Sequence, residues 1–102
     1  MEPYEFGRFS DPAVLILASL AGGEKHGYAM MEDILATSGV RLGPGTLYGA
    51  ISRLEGDGLI EALPADERRR PYRLTHQGAA YLRQYLVSMK KFVSLGYERL
   101  EV

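Results

Sequence analysis

The stretch GPGTLYGAISRLEGDGLI, residues 43–60, decides the fold, because it reads as one helix with both ends marked. Gly43 can serve as N-cap, and Pro44 takes the first helical position, where its missing N–H costs nothing. Leu42 and Leu47 fall at the two positions of a hydrophobic staple, which sets the angle at which the chain enters. Leu47, Ile51 and Leu54, with Ala50 beside them, make one apolar face. At the exit, Gly58 suits a left-handed residue and Leu59 can fold back on Leu54 in a Schellman ending. Yet Gly45, Gly49 and Gly56 also lie in this helix, and an interior glycine costs roughly 1 kcal/mol relative to alanine. With the apolar face inward, these three glycines, Ser52 and Arg53 turn outward, with Thr46 and Tyr48 on the flanks. Such a thin face lets another surface come close to the helix backbone.

The neighbours of this helix extend the pattern. HGYAMMEDILATSG, residues 26–39, predicts a preceding helix in which Tyr28, Met31, Ile34, Leu35 and Ser38 share one face and Gly39 ends it. Only GVRLG separates the two helices, and a short glycine-containing connection of this kind marks a helix-turn-helix. Upstream, SDPAVLILASLAGG (10–23) predicts a helix with Ser10 or Asp11 as cap, Pro12 in the first turn and Gly22-Gly23 at the end. Val14, Ile16, Leu17 and Leu20 point in several directions there, so other elements should enclose it. Downstream, LIEAL and PYRLT read as two short strands joined by the polar loop PADERRR. Thr75 can cap a final helix running to the C-terminus. Along it Leu82, Leu86, Met89, Val93, Gly96 and Leu100 recur at alternating spacings of four and three, the seam of a helix that pairs with another helix. Tyr85 and Phe92 widen that seam.

Composition narrows the function classes. A chain of 102 residues with 46% apolar and 25% charged residues makes one small globular domain. It has no cysteine, which removes disulfides and thiolate metal sites and is compatible with a reducing cytoplasm. The start, MEPYEFGRFS, lacks the basic segment and apolar run of a signal peptide. The longest apolar run, AVLILASLA, is too short to span a bilayer and should be a buried helix, so no membrane partner is expected. The two histidines, His26 and His76, each stand beside or near a glycine at a helix start, outside any metal-ligand spacing, and suit surface or capping roles. Glu55, Asp57 and Glu61 near a turn are adequately explained as solvated charges. GPGTLYG lacks the lysine and the preceding strand of a phosphate-binding loop. No enzyme, cofactor or metal site is expected.

The net charge of −1 is low for a nucleic-acid binder, but Arg68, Arg69, Arg70 and Arg73 are concentrated in ERRRPYR. A short arginine run is often only a solvated loop; here it follows directly on the thin helix. Hydroxyls and a phenol can bond phosphate oxygens, an arginine can reach guanine O6 and N7, and the free N–H groups at the Pro44-Gly45-Thr46 end suit a phosphate. The alternative for Gly49 and Gly56 is close packing against another helix of the same chain.

GTLYGAISRLEGDGLIEA, followed by RRRPYRLTHQG and preceded by HGYAMMEDI, resembles the PadR family of winged helix-turn-helix transcriptional regulators, from about Leu15 to Leu86. The resemblance implies a mainly α (α+β) fold, a winged helix-turn-helix with a C-terminal dimerisation helix. It divides the chain into a DNA-binding part, 1–75, with its wing at about 59–74, and a dimerisation helix, 76–102, packed as one unit with the rest. It also implies a cytoplasmic homodimer that represses nearby genes and is often released by a small hydrophobic or phenolic effector. By position, Gly45 to Tyr48 occupy the family's recognition-helix start and Tyr72 to Thr75 its wing end. Two glycines depart from the family pattern: Gly43 stands where serine is frequent and Gly49 where proline is. The wing tip also carries Asp66 and Glu67 among its arginines.

The expected contacts with double-stranded DNA, on an inverted-repeat operator, come from Pro44, Gly45, Thr46, Tyr48, Gly49, Ser52 and Arg53 at the groove and Arg68, Arg69 and Arg70 on the wing. Arg53 is the candidate for base readout. Leu82, Tyr85, Leu86, Met89, Phe92 and Val93 are expected in the dimer interface, with Tyr85, Met89 and Phe92 open to two readings, effector pocket or dimer core. The competing function is a winged-helix module for protein interaction or ligand sensing, with weak or no specific DNA binding.

Overall fold

The computed structural model describes residues 11–65 and 68–101. The expectations placed on the N-terminal decapeptide, on Ser10 as a cap and on the acidic pair Asp66 and Glu67 lie outside the described residues. The elements in chain order are α1 (Pro12–Ala21), β1 (Lys25–His26), α2 (Gly27–Ser38), α3 (Pro44–Gly56), β2 (Ile60–Ala62), β3 (Pro71–Leu74) and α4 (His76–Leu100). The fold is mainly helical with a small antiparallel sheet, a winged helix-turn-helix.

α1 is the hub. Asp11 caps it by accepting from the Ala13 N–H at 2.9 Å, and Pro12 takes its first turn. Ile16, Leu17 and Leu20 are buried, Val14 and Leu15 partly so, and the helix packs on α2, α3, α4 and β3. Each fully buried aliphatic side chain of this kind contributes roughly 1.5–3 kcal/mol. Ser19 is buried as well, and its hydroxyl donates to Asp33 Oδ2 of α2 at 2.7 Å, so the one buried polar side chain among the described residues is satisfied.

α2 departs from the expected face. Its buried residues are Gly27, Met30 and Ile34, whereas Tyr28 is 61% exposed. Spacing alone allowed either stripe; Met30 is the residue that reaches the core formed with α1 and α3. Gly39 ends the helix in the left-handed conformation, φ 76°, as expected.

α3 has the expected ends. Gly43 is the N-cap and offers no side-chain bond, while Leu42 and Leu47 both lie in the core, as a staple requires. At the exit the Leu59 N–H donates to the Leu54 carbonyl at 3.0 Å and the Gly58 N–H to that of Glu55 at 3.1 Å. Gly58 stands at φ 76°, where a side chain would be strained, so this is the Schellman motif. The turn is tied to the start of α4. The Thr75 hydroxyl accepts from the Gly78 N–H at 3.0 Å and donates to the Gly58 carbonyl at 2.7 Å. Gly78 is seated against the Leu59 carbonyl, where any Cβ would collide with backbone.

The sheet has one strand more than the sequence predicts. β2 and β3 form the expected hairpin, with Ile60 opposite Leu74, Glu61 opposite Arg73 and Ala62 opposite Tyr72. β1 adds to the other side of β3, pairing Lys25 with Tyr72 and His26 with Pro71, so the order is β1-β3-β2. A strand of two residues is too short for alternation to register in a sequence.

Candidate nucleic-acid interface

α3 is held by Leu47, Ala50, Ile51 and Leu54, all buried. That anchoring leaves Pro44, Gly45, Thr46, Tyr48, Gly49, Ser52 and Arg53 exposed, each of the groove residues expected from the sequence. A Cβ added at Gly45, Gly49 or Gly56 would meet nothing within 4 Å. Packing against another helix of the same chain therefore does not account for Gly49 or Gly56 among the described residues.

Tyr48 is distinct from the rest of this face. Its phenol lies over Gly27, at the start of α2, so closely that a methyl group on Gly27 would collide with the ring. Tyr48 thus leans toward β1 and the wing rather than straight out from α3. It walls a cavity of about 300 Å³, open to solvent, together with Tyr28, Tyr72, His26 and the arginines of the wing. Burial pushes the Tyr72 phenol above the ordinary tyrosine value of 10.0; the Glu55 carboxylate and Tyr48 push the same way, and the Arg70 guanidinium opposes them.

Arg68, Arg69 and Arg70 are exposed in the loop of the wing that leads into β3, and all three line this cavity. Arg73 behaves differently: it pairs with Glu61 across the hairpin. The arginine run is thereby divided, with three cations lining the cavity and one paired on the sheet. His26 is the N-cap of α2, its Nδ1 accepting from the Ala29 N–H at 3.3 Å, and its Nε2 lies 3.5 Å from an Arg69 Nη1. The capping role expected of His26 is present, but its approach to the wing depends on β1 pairing with β3, which spacing did not reveal.

The apolar residues of α4 divide at about Tyr85. Leu82, expected in the dimer interface, is 6% exposed and packs in the chain's own core. Its side chain falls on the portion of α4 that packs against α1. Tyr85 is half-buried, and Leu86, Met89, Phe92 and Val93 are exposed, with Phe92 at 70%. No described helix is long and apolar enough to cross a membrane.

Comparison with known proteins agrees with this architecture. The pattern of the Transcriptional regulator PadR-like family matches residues 16–84. The chain is 42% identical over 91 residues to an uncharacterized 37.1 kDa protein in transposon TN4556 of Streptomyces fradiae, covering 89% of this chain and 26% of that one. It is 46% identical over 70 residues to the transcriptional regulator Rv3488 of Mycobacterium tuberculosis, covering 66% of this chain and 64% of that one. This chain therefore spans about a quarter of the first relative and somewhat under two thirds of the second. Among solved structures, a transcriptional regulator from Clostridium thermocellum superposes with a TM-score of 0.75 at 28% identity, over 84% of this chain and 89% of that one. A PadR family regulator from Eggerthella lenta gives the same score and identity over 88% and 81%. By the extent of that family match and the agreement of fold, the chain belongs to the Transcriptional regulator PadR-like family, whose members are regulators of transcription and not enzymes.

Proposed function

We propose that the chain is a cytoplasmic, homodimeric, sequence-specific DNA-binding repressor that a small hydrophobic or phenolic effector releases. One observation carries this reading: α3 exposes a face whose glycines meet nothing inside the chain, next to three wing arginines. A helix so thinned can sit deep in a major groove, where Thr46, Ser52 and the N–H groups around Gly45 bond phosphates and Arg53 reaches guanine. The wing arginines follow the adjacent backbone. Residues 11–75 form the reading module in this scheme, and α4 beyond Tyr85 is the dimerisation helix. Leu86, Met89, Phe92 and Val93 meet their counterparts there, with Tyr85 at the margin. Two such modules place their α3 helices at half-sites about one turn of DNA apart, roughly 10 bp, on an inverted repeat. The effector enters between Tyr85, Met89 and Phe92 of one protomer and the first helix of the other, and shifts the spacing of the two α3 helices.

The test is a fluorescence-anisotropy titration with duplex DNA from upstream of the protein's own gene, against a scrambled duplex at equal salt. Specific binding tighter than non-specific by at least about 10³-fold is the expected outcome. Equal affinity for both duplexes at physiological salt would replace this reading with that of a protein-interaction or ligand-sensing module. Arg53→Ala should then narrow the specific gap by about 1–3 kcal/mol while leaving scrambled DNA unaffected.

A further inference from the structure

We propose that the cavity between α2, α3 and the wing is a seat for one phosphate group, gripped jointly by His26 and Arg69. The inference rests on the DNA-binding reading for its source of phosphate, a single backbone phosphodiester of the duplex.

The polarity of the two groups carries it. His26 Nδ1 accepts the Ala29 N–H at 3.3 Å as the cap of α2. A neutral imidazole that accepts on one nitrogen carries its proton on the other, so Nε2 is a donor. The group facing Nε2 at 3.5 Å is Arg69 Nη1, which has no acceptor capacity at all. Neither can satisfy the other. Two donors held at this separation converge on a common acceptor, and one oxyanion oxygen at about 2.8 Å from each completes the geometry.

The walls fit the same ligand. Tyr28, Tyr48 and Tyr72 bring phenol groups able to donate, and Arg70 adds positive charge. No carboxylate among the described residues lines the cavity; Glu55 acts on the Tyr72 phenol by its charge without lining it. A volume of about 300 Å³, open to solvent, admits a phosphate that remains part of a longer chain. Gly27 completes the arrangement, since a side chain there would drive the Tyr48 phenol out of the wall.

The experiment compares the wild-type protein with His26→Asn, Arg69→Gln and the double variant. Asparagine keeps the capping acceptor and removes the Nε2 donor, so its effect separates the phosphate contact from the cap. Arg69 is exposed, so its variant retains the fold. Each is titrated against the operator duplex across a range of salt, and against duplexes carrying one neutral methylphosphonate at a time.

Each single variant should bind roughly tenfold more weakly or worse, as for loss of a hydrogen bond to a charged group. The double variant should bind little more weakly than the worse single one, because both donors hold the same phosphate. One methylphosphonate position should reproduce the loss in wild type and add almost nothing in either variant. Arg69→Gln should reduce the magnitude of the slope of log affinity against log salt by about 0.9, and His26→Asn should leave it unchanged.

Additive losses that map to two different phosphates, or no loss in either variant while operator binding persists, would overturn the seat and leave the DNA reading standing. If wild type binds no duplex specifically, a titration with inorganic phosphate followed at the His26 ring nitrogens decides the matter. A shift of Nε2 that Arg69→Gln abolishes upholds a free-phosphate seat and removes the duplex as its source. No shift removes both.

Discussion

Gly49 weakens the helix that carries it and receives no packing inside the chain in exchange, since a Cβ there would meet nothing within 4 Å. Gly49→Ala should therefore raise stability by up to about 1 kcal/mol in a urea melt. It should also weaken DNA binding, because the added methyl keeps the backbone from its partner surface. An unchanged affinity would show that the glycine does not face the DNA. Gly27→Ala is a different case. The exposed tip of the Tyr48 ring occupies the space its methyl requires, so the ring must swing aside and Gly27→Ala should gain none of the stability that Gly49→Ala does, read from the same melts. The outward position of Gly49 was legible in the sequence from the inward face of Leu47, Ile51 and Leu54. The need for glycine at position 27 was not, because the ring that excludes a side chain comes from another helix.

At the scale of elements, the start and finish of α3 were both readable. A staple and a Schellman turn are local interactions, closed within a few residues of each other along the chain. The wing was readable only in part. Its hairpin registers in the two short apolar segments, but β1 joins through two residues, and only the pairing of His26 with Pro71 brings the start of α2 beside the arginines. That pairing also explains why the four arginines are not equivalent, for Arg73 lies opposite Glu61 and is bound to it. Replacing Arg68, Arg69 and Arg70 together by alanine should weaken binding to every duplex and reduce the magnitude of the salt slope by about 2–3, because each phosphate contact releases counterions. Arg73→Ala should leave the slope nearly unchanged. A triple variant with the wild-type slope would remove the wing from the interface.

For the whole molecule, the decisive feature is α4, 25 residues or about 37 Å long, whose apolar stripe continues past the body it packs against. Leu82 and Phe92 lie on this stripe yet should respond differently. Leu82→Ala removes a core side chain and should cost about 2–5 kcal/mol in a chemical melt extrapolated to a fixed protein concentration. Phe92→Glu touches no core residue and should leave secondary structure intact while shifting the protein from dimer to monomer in sedimentation equilibrium. A Phe92→Glu protein that remains dimeric would place the interface elsewhere. Loss of the dimer should also reduce operator affinity far more than binding to a single half-site, since linkage of the two modules supplies the difference.

What this sequence determined by itself is what depends on near neighbours along the chain: the caps, the staple, the αL endings, the apolar faces of α1 and α3, and the family to which the ordered motifs belong. The tertiary structure decided what depends on residues far apart. It chose Met30 over Tyr28 for the core and drew Leu82 inward. It laid Tyr48 on Gly27 and set His26 against Arg69, 43 positions away. The reason is physical. Local hydrogen bonds and hydrophobic periodicity repeat on the pitch of a helix or strand and leave their mark in the spacing of residues, whereas the meeting of two surfaces is settled by how the elements pack, and no spacing within either one records it.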